Sequence, residues 1–167
     1  MPWRKPLRWW RHAITDRGHV ARAFPPGSLD RIERAIGEAE ARHAGQIVFA
    51  IEPALPVARV FAKLPPRERA LEVFGLLRVW DTEHNNGVLV YLLLADRDVE
   101  IVADRGIHRI AGDAAWQRVC EAMEAAFRAG RYEEGALAGI EAISALLAGA
   151  FPRGGGADEL PNRPVVI

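Results

Sequence analysis

Acidic and carboxamide side chains in this 167-residue sequence fall into two groups that could bind a hard cation. The first group surrounds an Asn-Asn-Gly sequence and comprises Asp81, Asn85, Asn86 and Asp104, with Glu83 and His84 beside them. The second group comprises Glu52, Asp96 and Asp98. Carboxylate and amide oxygens are the ligands that Ca²⁺ and Mg²⁺ take in proteins. The sequence therefore predicts a divalent-cation site at one of the two groups, and the competing interpretation is that both are ordinary polar turns.

Three arginines could supply positive charge to a phosphate or another anion, namely Arg97, Arg105 and Arg109. No catalytic nucleophile stands out, because both serines fall at predicted helix positions and Cys120 lies among apolar residues at helical spacing. Asp96 could form an aspartyl-phosphate only on a loop before a helix, whereas a strand resumes directly after it. The catalytic residues stay unassigned, and a phosphatase would depend on a metal-activated water.

The N-terminal segment combines tryptophan with positive charge, since residues 1–22 carry six Lys and Arg residues against one acid, Asp16. Its candidate membrane-binding residues are Trp3, Arg4, Lys5, Arg8, Trp9, Trp10 and Arg11. Tryptophan beside arginine suits an anionic membrane surface. We expect an arm outside the main core that contacts a membrane or a membrane-associated protein. A disordered or domain-packed arm is the competing interpretation, and RNA binding through Arg and Trp is a weaker third choice.

An apolar run from Val88 to Ala95 is the element that positions most of these side chains. Its length, its β-branched content and its polar boundaries predict a strand buried on both faces. The Asp96-Arg97-Asp98 connection is too short for a crossover, so the strand from Val99 returns antiparallel. A third strand over 46–51 runs parallel to the first, because a helix over 67–79 connects them. Glu52, Asp96 and Asp98 then meet at one end of the sheet, and Asp104 lies beside Asn85 and Asn86 at the other.

Helical periodicity predicts the remaining elements, at 29–43, 113–128 and 132–147. The order α-β-α-β-β-α-α indicates a single α/β domain, with a mixed three- to four-stranded sheet sandwiched by helices. We divide the chain into a basic, Trp-rich arm over 1–27, the domain over 28–151, and a flexible tail over 152–167.

Composition narrows the class of protein. The net charge is zero, so no overall field favours nucleic acid or acidic substrates. One cysteine excludes an intramolecular disulfide framework and a multi-cysteine metal site. No apolar stretch approaches the roughly 20 residues that span a bilayer, and the basic N-terminus lacks the apolar core of a secretory signal. We therefore expect a cytoplasmic protein, peripheral to the inner membrane if the arm binds lipid.

Asn85-Asn86-Gly87 before an all-apolar strand, the Asp-Arg hairpin and the return strand ending in glycine together resemble the TPM domain family, over about residues 28–151. That family includes the thylakoid lumen acid-phosphatase-like protein and many bacterial proteins. The resemblance implies an α/β/α sandwich, divalent-cation binding in some members and a reported phosphatase activity. This chain departs from the pattern at Ala103-Asp104-Arg105-Gly106, where the common member has Gly-Tyr-Gly.

The usual secretory signal and C-terminal membrane segment are also missing, so the chain looks like a cytoplasmic bacterial subgroup. The function that the resemblance implies is an accessory or binding module that binds Ca²⁺ or Mg²⁺ near a membrane surface. The alternative is a metal-assisted phosphatase that acts through acidic residues at one end of the sheet.

Overall fold

The computed structural model describes residues 4–152 and 157–167. Its helices and strands follow in the order α1 (Arg4–Ile14), α2 (Arg17–Ala23), α3 (Pro26–Glu40), β1 (Gln46–Glu52), α4 (Val57–Phe61), α5 (Pro66–Leu76), β2 (Gly87–Leu93), β3 (Asp98–Ala103), α6 (Arg105–Ala111), α7 (Asp113–Arg128), α8 (Tyr132–Ala150) and β4 (Val165–Val166). None of the helices in these described ranges is long and apolar enough to cross a membrane.

The strands form one mixed sheet in the order β3-β2-β1-β4. β1 and β2 are parallel, with Gln46 opposite Gly87 and Glu52 opposite Leu93. β2 and β3 form the predicted antiparallel hairpin, which is confirmed by the pairing of Val88 with Ala103. The predicted α/β class, with helices on both sides of a mixed sheet, is therefore correct.

Helices cover both faces of the sheet, which explains why β2 is apolar at every position. Alternate residues of β2, such as Val90 and Leu92, face a core shared with α3, α7 and α8. The intervening residues, such as Leu89 and Leu93, face a second core shared with α4 and α5. Each residue of β1 and β2 is buried, so the hairpin and its parallel neighbour form the centre of the domain.

The described part of the predicted flexible tail, 157–167, is packed against the domain. β4 pairs parallel with β1, with Val165 opposite Ala50. The side-chain oxygen of Gln46 accepts hydrogen bonds from the backbone N–H groups of Glu159 (2.9 Å) and Leu160 (3.1 Å). The structure therefore corrects the tail prediction for this segment and supplies the fourth strand.

The N-terminal segment also differs from the prediction of an arm outside the core. α2 directs Val20 and Phe24 into the core, where their exposed fractions are 3% and 1%. α1 packs near α4, and His12 is buried. Trp3 lies outside the described residues, as do the side chains of Arg4 and Lys5. The described helices of this segment are thus part of the domain, because their apolar and buried polar residues make long-range contacts.

Three local predictions were also wrong. Helix α3 begins at Pro26 with Pro25 as its N-cap, three residues before the predicted start at residue 29. The short helices α4 and α6 occupy segments for which no helix was predicted. α6 starts directly after β3 because the Asp104 side chain caps its first turn.

The outer edge of β3 is covered by side chains rather than by another strand. Arg67 donates from Nη1 to the Ile101 carbonyl at 2.5 Å. The Val99 N–H donates to Glu124 Oε1 at 3.1 Å. These contacts occupy backbone groups that an edge strand would otherwise leave free.

Candidate functional site

The carboxyl end of β1 places Glu52 in a buried ion pair. Its carboxylate, 8% exposed, accepts hydrogen bonds from Arg69 Nε (2.9 Å) and Nη2 (3.0 Å). The Tyr91 hydroxyl donates to the same carboxylate at 2.5 Å. The bond to Glu52 raises the pKa of Arg69, and burial with that same bond raises the pKa of Tyr91. Glu52 is thus fully engaged within the protein, because a bidentate arginine neutralises it.

Asp96, the second residue of this group, is held by three basic side chains of α1. Arg8 Nε and Nη2 both lie 2.9 Å from the carboxylate, and Arg11 Nη2 lies at 3.2 Å. His12 accepts a hydrogen bond from the Leu55 N–H on Nδ1 at 2.9 Å, which leaves the proton on Nε2, 3.1 Å from Asp96. The contact between His12 Nε2 and Asp96 is short but poorly aligned for a hydrogen bond, so it is an electrostatic contact.

Burial alone would raise the pKa of Asp96, but the contacts with His12 and Arg8 outweigh it and hold that pKa below its usual value. The folded protein therefore binds this proton less readily than the unfolded chain does. The contacts of Asp96 therefore stabilise the fold fully at pH values above the pKa that Asp96 has in the unfolded chain. This stabilisation is lost as the pH falls through the lower pKa of Asp96 in the folded protein. Asp96 consequently fastens α1 to the β2–β3 turn at neutral pH.

Asp98 is surrounded by acids instead. Desolvation, together with the charges of Glu100, Glu124 and Asp96, raises its pKa to about 7, and its Oδ1 is buried without a hydrogen-bond partner among the described residues. Glu52, Asp96 and Asp98 therefore lie at one end of the sheet but contact different partners. Within 4–152 and 157–167, no group of three or more His, Cys, Asp or Glu side chains could hold a metal ion.

At the other end of the sheet, the register places Asp104 opposite Gly87. The Asp104 N–H donates to the Gly87 carbonyl at 2.9 Å, and Asp104 Oδ1 accepts from the Arg105 N–H at 2.6 Å. Asn86 is 1% exposed and donates from Nδ2 to the Ala44 carbonyl at 2.5 Å. The backbone of Asp104 thus lies next to the Asn85-Asn86-Gly87 segment.

Two oxygen atoms at this end have no hydrogen-bond donor in the described part of the chain, namely Asn86 Oδ1 and Asp104 Oδ2. The carbonyl of Asn85 faces Gly106 so closely that a Cβ there would lie 2.8 Å from it. Asn85 itself is exposed, with φ of 50°. Asp81 is turned to Arg78 and pairs with its Nη2 at 2.5 Å. Of the ligands predicted at this end of the sheet, Asn86 and Asp104 are therefore the two with a buried oxygen that has no donor among the described residues.

The three arginines of the predicted anion site are divided between the two ends. Arg97 lies in the β2–β3 turn with φ of 52°. Arg105 and Arg109 belong to α6, beyond the far end of β3. They do not form one site, because the length of the hairpin separates them.

The side chains that could act as nucleophiles are already engaged or buried. Ser28 Oγ donates to Glu133, and Ser144 is 2% exposed. Burial raises the pKa of Cys120 to about 12, so its thiol is protonated at neutral pH. The described residues thus offer no activated serine or cysteine.

An aromatic patch on α1 and α4 was only partly visible in the sequence. The ring of Trp9 stacks on Phe61 at 6.3 Å and meets Trp10 edge-on at 5.7 Å. Trp10 is 53% exposed and Phe61 is 67% exposed. We call Trp9, Trp10 and Phe61 the aromatic patch. Phe61 was missed because α4 was not predicted. A helix of five residues after Pro56 is too short to give a clear periodic pattern in the sequence.

Comparison with known proteins agrees with this arrangement of strands and helices. Residues 20–146 match the model of the TPM domain. The chain belongs to the TPM domain family. The resemblance noted in the sequence is therefore confirmed, whereas α1 lies outside the part of this TPM domain that the family model matches.

Two solved structures are similar to this TPM domain. The NMR structure of the BA42 protein from the psychrophilic bacterium Bizionia argentinensis has a TM-score of 0.74 and 30% identity, covering 84% of this chain and 92% of that one. The N-terminal domain of a P. gingivalis protein has a TM-score of 0.60 and 20% identity, covering 75% of this chain and 77% of that one. At this identity, the similarity shows only that the two proteins share a fold. Among curated proteins, none matches.

Proposed function

We propose that this TPM domain is a binding module that docks on an anionic membrane surface through the aromatic patch. The observation that carries the proposal is the exposure of Trp10 and Phe61, which are 53% and 67% exposed although they belong to one aromatic cluster. Tryptophan favours the interface between water and lipid, where its ring is apolar and its N–H remains hydrated.

The charge of α1 supports the same partner. Its sequence, RKPLRWWRHAI, contains four Lys and Arg residues and no acid, and Asp96 offsets one of these charges through its pairs with Arg8 and Arg11. Each basic residue near an anionic surface contributes roughly 1 kcal/mol. Ile14 is 48% exposed, one helical turn after Trp10, so α1 presents apolar and basic side chains together, as interfacial helices do.

We expect Trp10→Ser to weaken binding to phosphatidylglycerol vesicles about tenfold, because burial of a large side chain contributes roughly 1.5–3 kcal/mol and Trp10 is only half exposed. Binding should also fall as salt rises, since exposed charge is screened within about 8 Å at physiological ionic strength. Vesicle co-sedimentation at several salt concentrations measures both effects.

Trp80→Ser is the matched control. Trp80 is 50% exposed, but it follows α5 beside Val79, which packs against Gly87 at the amino end of β2. It therefore lies at the end of the sheet away from α1. Equal losses for the two variants, or no affinity for anionic vesicles, would show that the aromatic patch is not a membrane contact.

Weak divalent-cation binding is the second candidate, and the unpartnered oxygens Asn86 Oδ1 and Asp104 Oδ2 favour it. A buried acceptor without a donor costs about 1–3 kcal/mol, and Ca²⁺ or Mg²⁺ would offset that cost. With one carboxylate and neutral oxygens as ligands, the affinity should be in the millimolar range, because ligand charge sets affinity for these ions. A metal-assisted phosphatase would require this cation to activate a water.

Titration with Ca²⁺ or Mg²⁺ while following amide NMR signals tests the cation. We expect shifts at 85–87 and 104–106, and their loss in Asp104→Asn, since asparagine keeps the helix cap but removes the charge. Asp113→Asn, at the exposed start of α7, should leave the shifts unchanged. Shifts centred on 96–98 would move the site to the carboxyl end. Turnover of an aryl phosphate that EDTA abolishes would support the phosphatase.

A further inference from the structure

A second feature of the carboxyl end, independent of membrane docking, is a cleft between the N-terminal helices and the β2–β3 turn. Its volume is about 570 Å³, within the range of small-molecule sites. The polar and aromatic residues that line it are Arg11, Thr15, His19, Arg22, Arg97 and Tyr132. Leu94 and Ala95, which follow β2 directly, also line the cleft.

The lining of this cleft carries three arginines and no acidic residue. Arg22 uses Nε for the Gly18 carbonyl at 3.3 Å, and Arg97 makes no ion pair within the described residues. Arg11 is partly committed, because Nη2 lies 3.2 Å from Asp96. Asp96 is itself shared with Arg8 and His12. The excess charge of the cleft is therefore positive even when this neighbouring acid is counted.

The other groups near the cleft do not cancel that charge. Asp16 does not line the cleft, and its side chain is 73% exposed, so water and salt screen its charge; it accepts from the His19 ring at 2.8 Å and from the His19 N–H at 3.1 Å. α1 and α7 end close by, at Ile14 and before Gly130. Their C-terminal carbonyls contribute partial charges of about half a unit each. The positive charge of the three guanidinium groups exceeds these negative partial charges. The planar fork of each guanidinium also matches the oxygens of a phosphate.

The position of the cleft also favours a ligand. In α/β sheets, ligands bind beyond the carboxyl ends of the strands, where loops from different elements converge. Arg97 is held there at φ of 52°, a conformation that side-chain-bearing residues rarely adopt. Tyr132 and Leu94 add an aromatic ring and an apolar surface beside the arginines.

From these observations we infer that the cleft binds a phosphate group carried on a small organic body, with Arg22 and Arg97 as its principal ligands and Tyr132 against the organic part. α1, which supplies Arg11, lies outside residues 20–146 that match the TPM domain model, so this part of the cleft lining is not covered by the family match.

Phenylphosphonate, which is not hydrolysed, is the probe for a soluble ligand. Amide NMR titration of the full chain should give saturable shifts at 15, 95, 97 and 130. Arg97→Gln should weaken binding about tenfold or more, because a hydrogen bond to a charged group is lost. Glutamine and arginine both carry a Cβ and have the same steric restriction at positive φ. The substitution should therefore leave the backbone conformation of the turn unchanged. Arg109→Gln, exposed on α6, is the matched control and should bind normally.

A lipid phosphate is distinguished by a second arm of the experiment. If the cleft takes a soluble phosphate, Arg97→Gln loses phenylphosphonate but retains binding to phosphatidylglycerol vesicles. If it takes a lipid headgroup, Arg97→Gln loses both, and the phosphate assignment still stands. The inference is overturned if phenylphosphonate causes no saturable shifts at millimolar concentration, if the shifts lie on α6, or if Arg97→Gln and Arg109→Gln bind equally.

Discussion

Replacing Arg69 by methionine is expected to lower the free energy of unfolding by about 3–5 kcal/mol, since removing one partner leaves the other charge buried and unpaired. The Glu52 side chain is only 8% exposed and that of Arg69 is 17% exposed, so water cannot readily replace the guanidinium. Tyr91 would remain as a single hydrogen-bond donor to the carboxylate. Urea unfolding at pH 7, followed by circular dichroism, measures the loss.

Arg59→Met is the matched control for this prediction. Arg59 pairs with Glu72 at 2.6 Å, but both side chains are about 40% exposed, and such a pair is worth about 1 kcal/mol at most. The double variant Glu52→Gln/Arg69→Met should recover part of the loss, because a neutral amide costs less to bury than a carboxylate. A loss for Arg69→Met as small as that for Arg59→Met would contradict the buried-pair interpretation.

Phe24→Ala should destabilise the domain by a similar amount, about 3–5 kcal/mol, because it opens a cavity in the core. Phe24 packs edge-on against Phe49 and Phe127 at 6.3 Å and against Tyr132 at 5.6 Å. The measurement is again the free energy of unfolding in urea.

Phe61→Ala makes the same chemical change at a side chain that is 67% exposed, where substitutions usually shift stability by no more than about 0.5 kcal/mol. The two phenylalanines therefore separate a core contact of the N-terminal segment from a surface contact. If Phe24→Ala were as mild as Phe61→Ala, the segment would be the separable arm that the sequence predicted.

The sequence was sufficient for the centre of the sheet because its signals there are local. The apolar run from Val88 ends at a turn too short for a crossover, and this alone determines the antiparallel partner. β4 could not be predicted in this way. It contains two residues after a proline-containing segment, and its partner, β1, lies more than a hundred residues earlier in the chain.

The candidate sites show the same division between local and long-range information. The position of Asp104 beside Gly87 followed from the hairpin register. In contrast, Glu52 and Asp96 were predicted as cation ligands because nothing near them in the sequence identifies Arg69 or Arg8 as partners. The basic residues of α1 were assigned first to a membrane surface, with a domain-packed arm and RNA as alternatives, and nothing in the sequence identified Asp96 as the partner of Arg8 and Arg11, 88 and 85 residues away.

The side chains that cover β3 have a consequence for self-association. Fibrous aggregates grow when the backbone of an uncovered strand hydrogen-bonds with the same strand of another molecule. Here, the carbonyl of Ile101 and the N–H of Val99 are occupied by Arg67 and Glu124. A second molecule would have to displace two charged side chains before its first backbone hydrogen bond could form. The domain should therefore resist fibril growth at this edge even at high protein concentration.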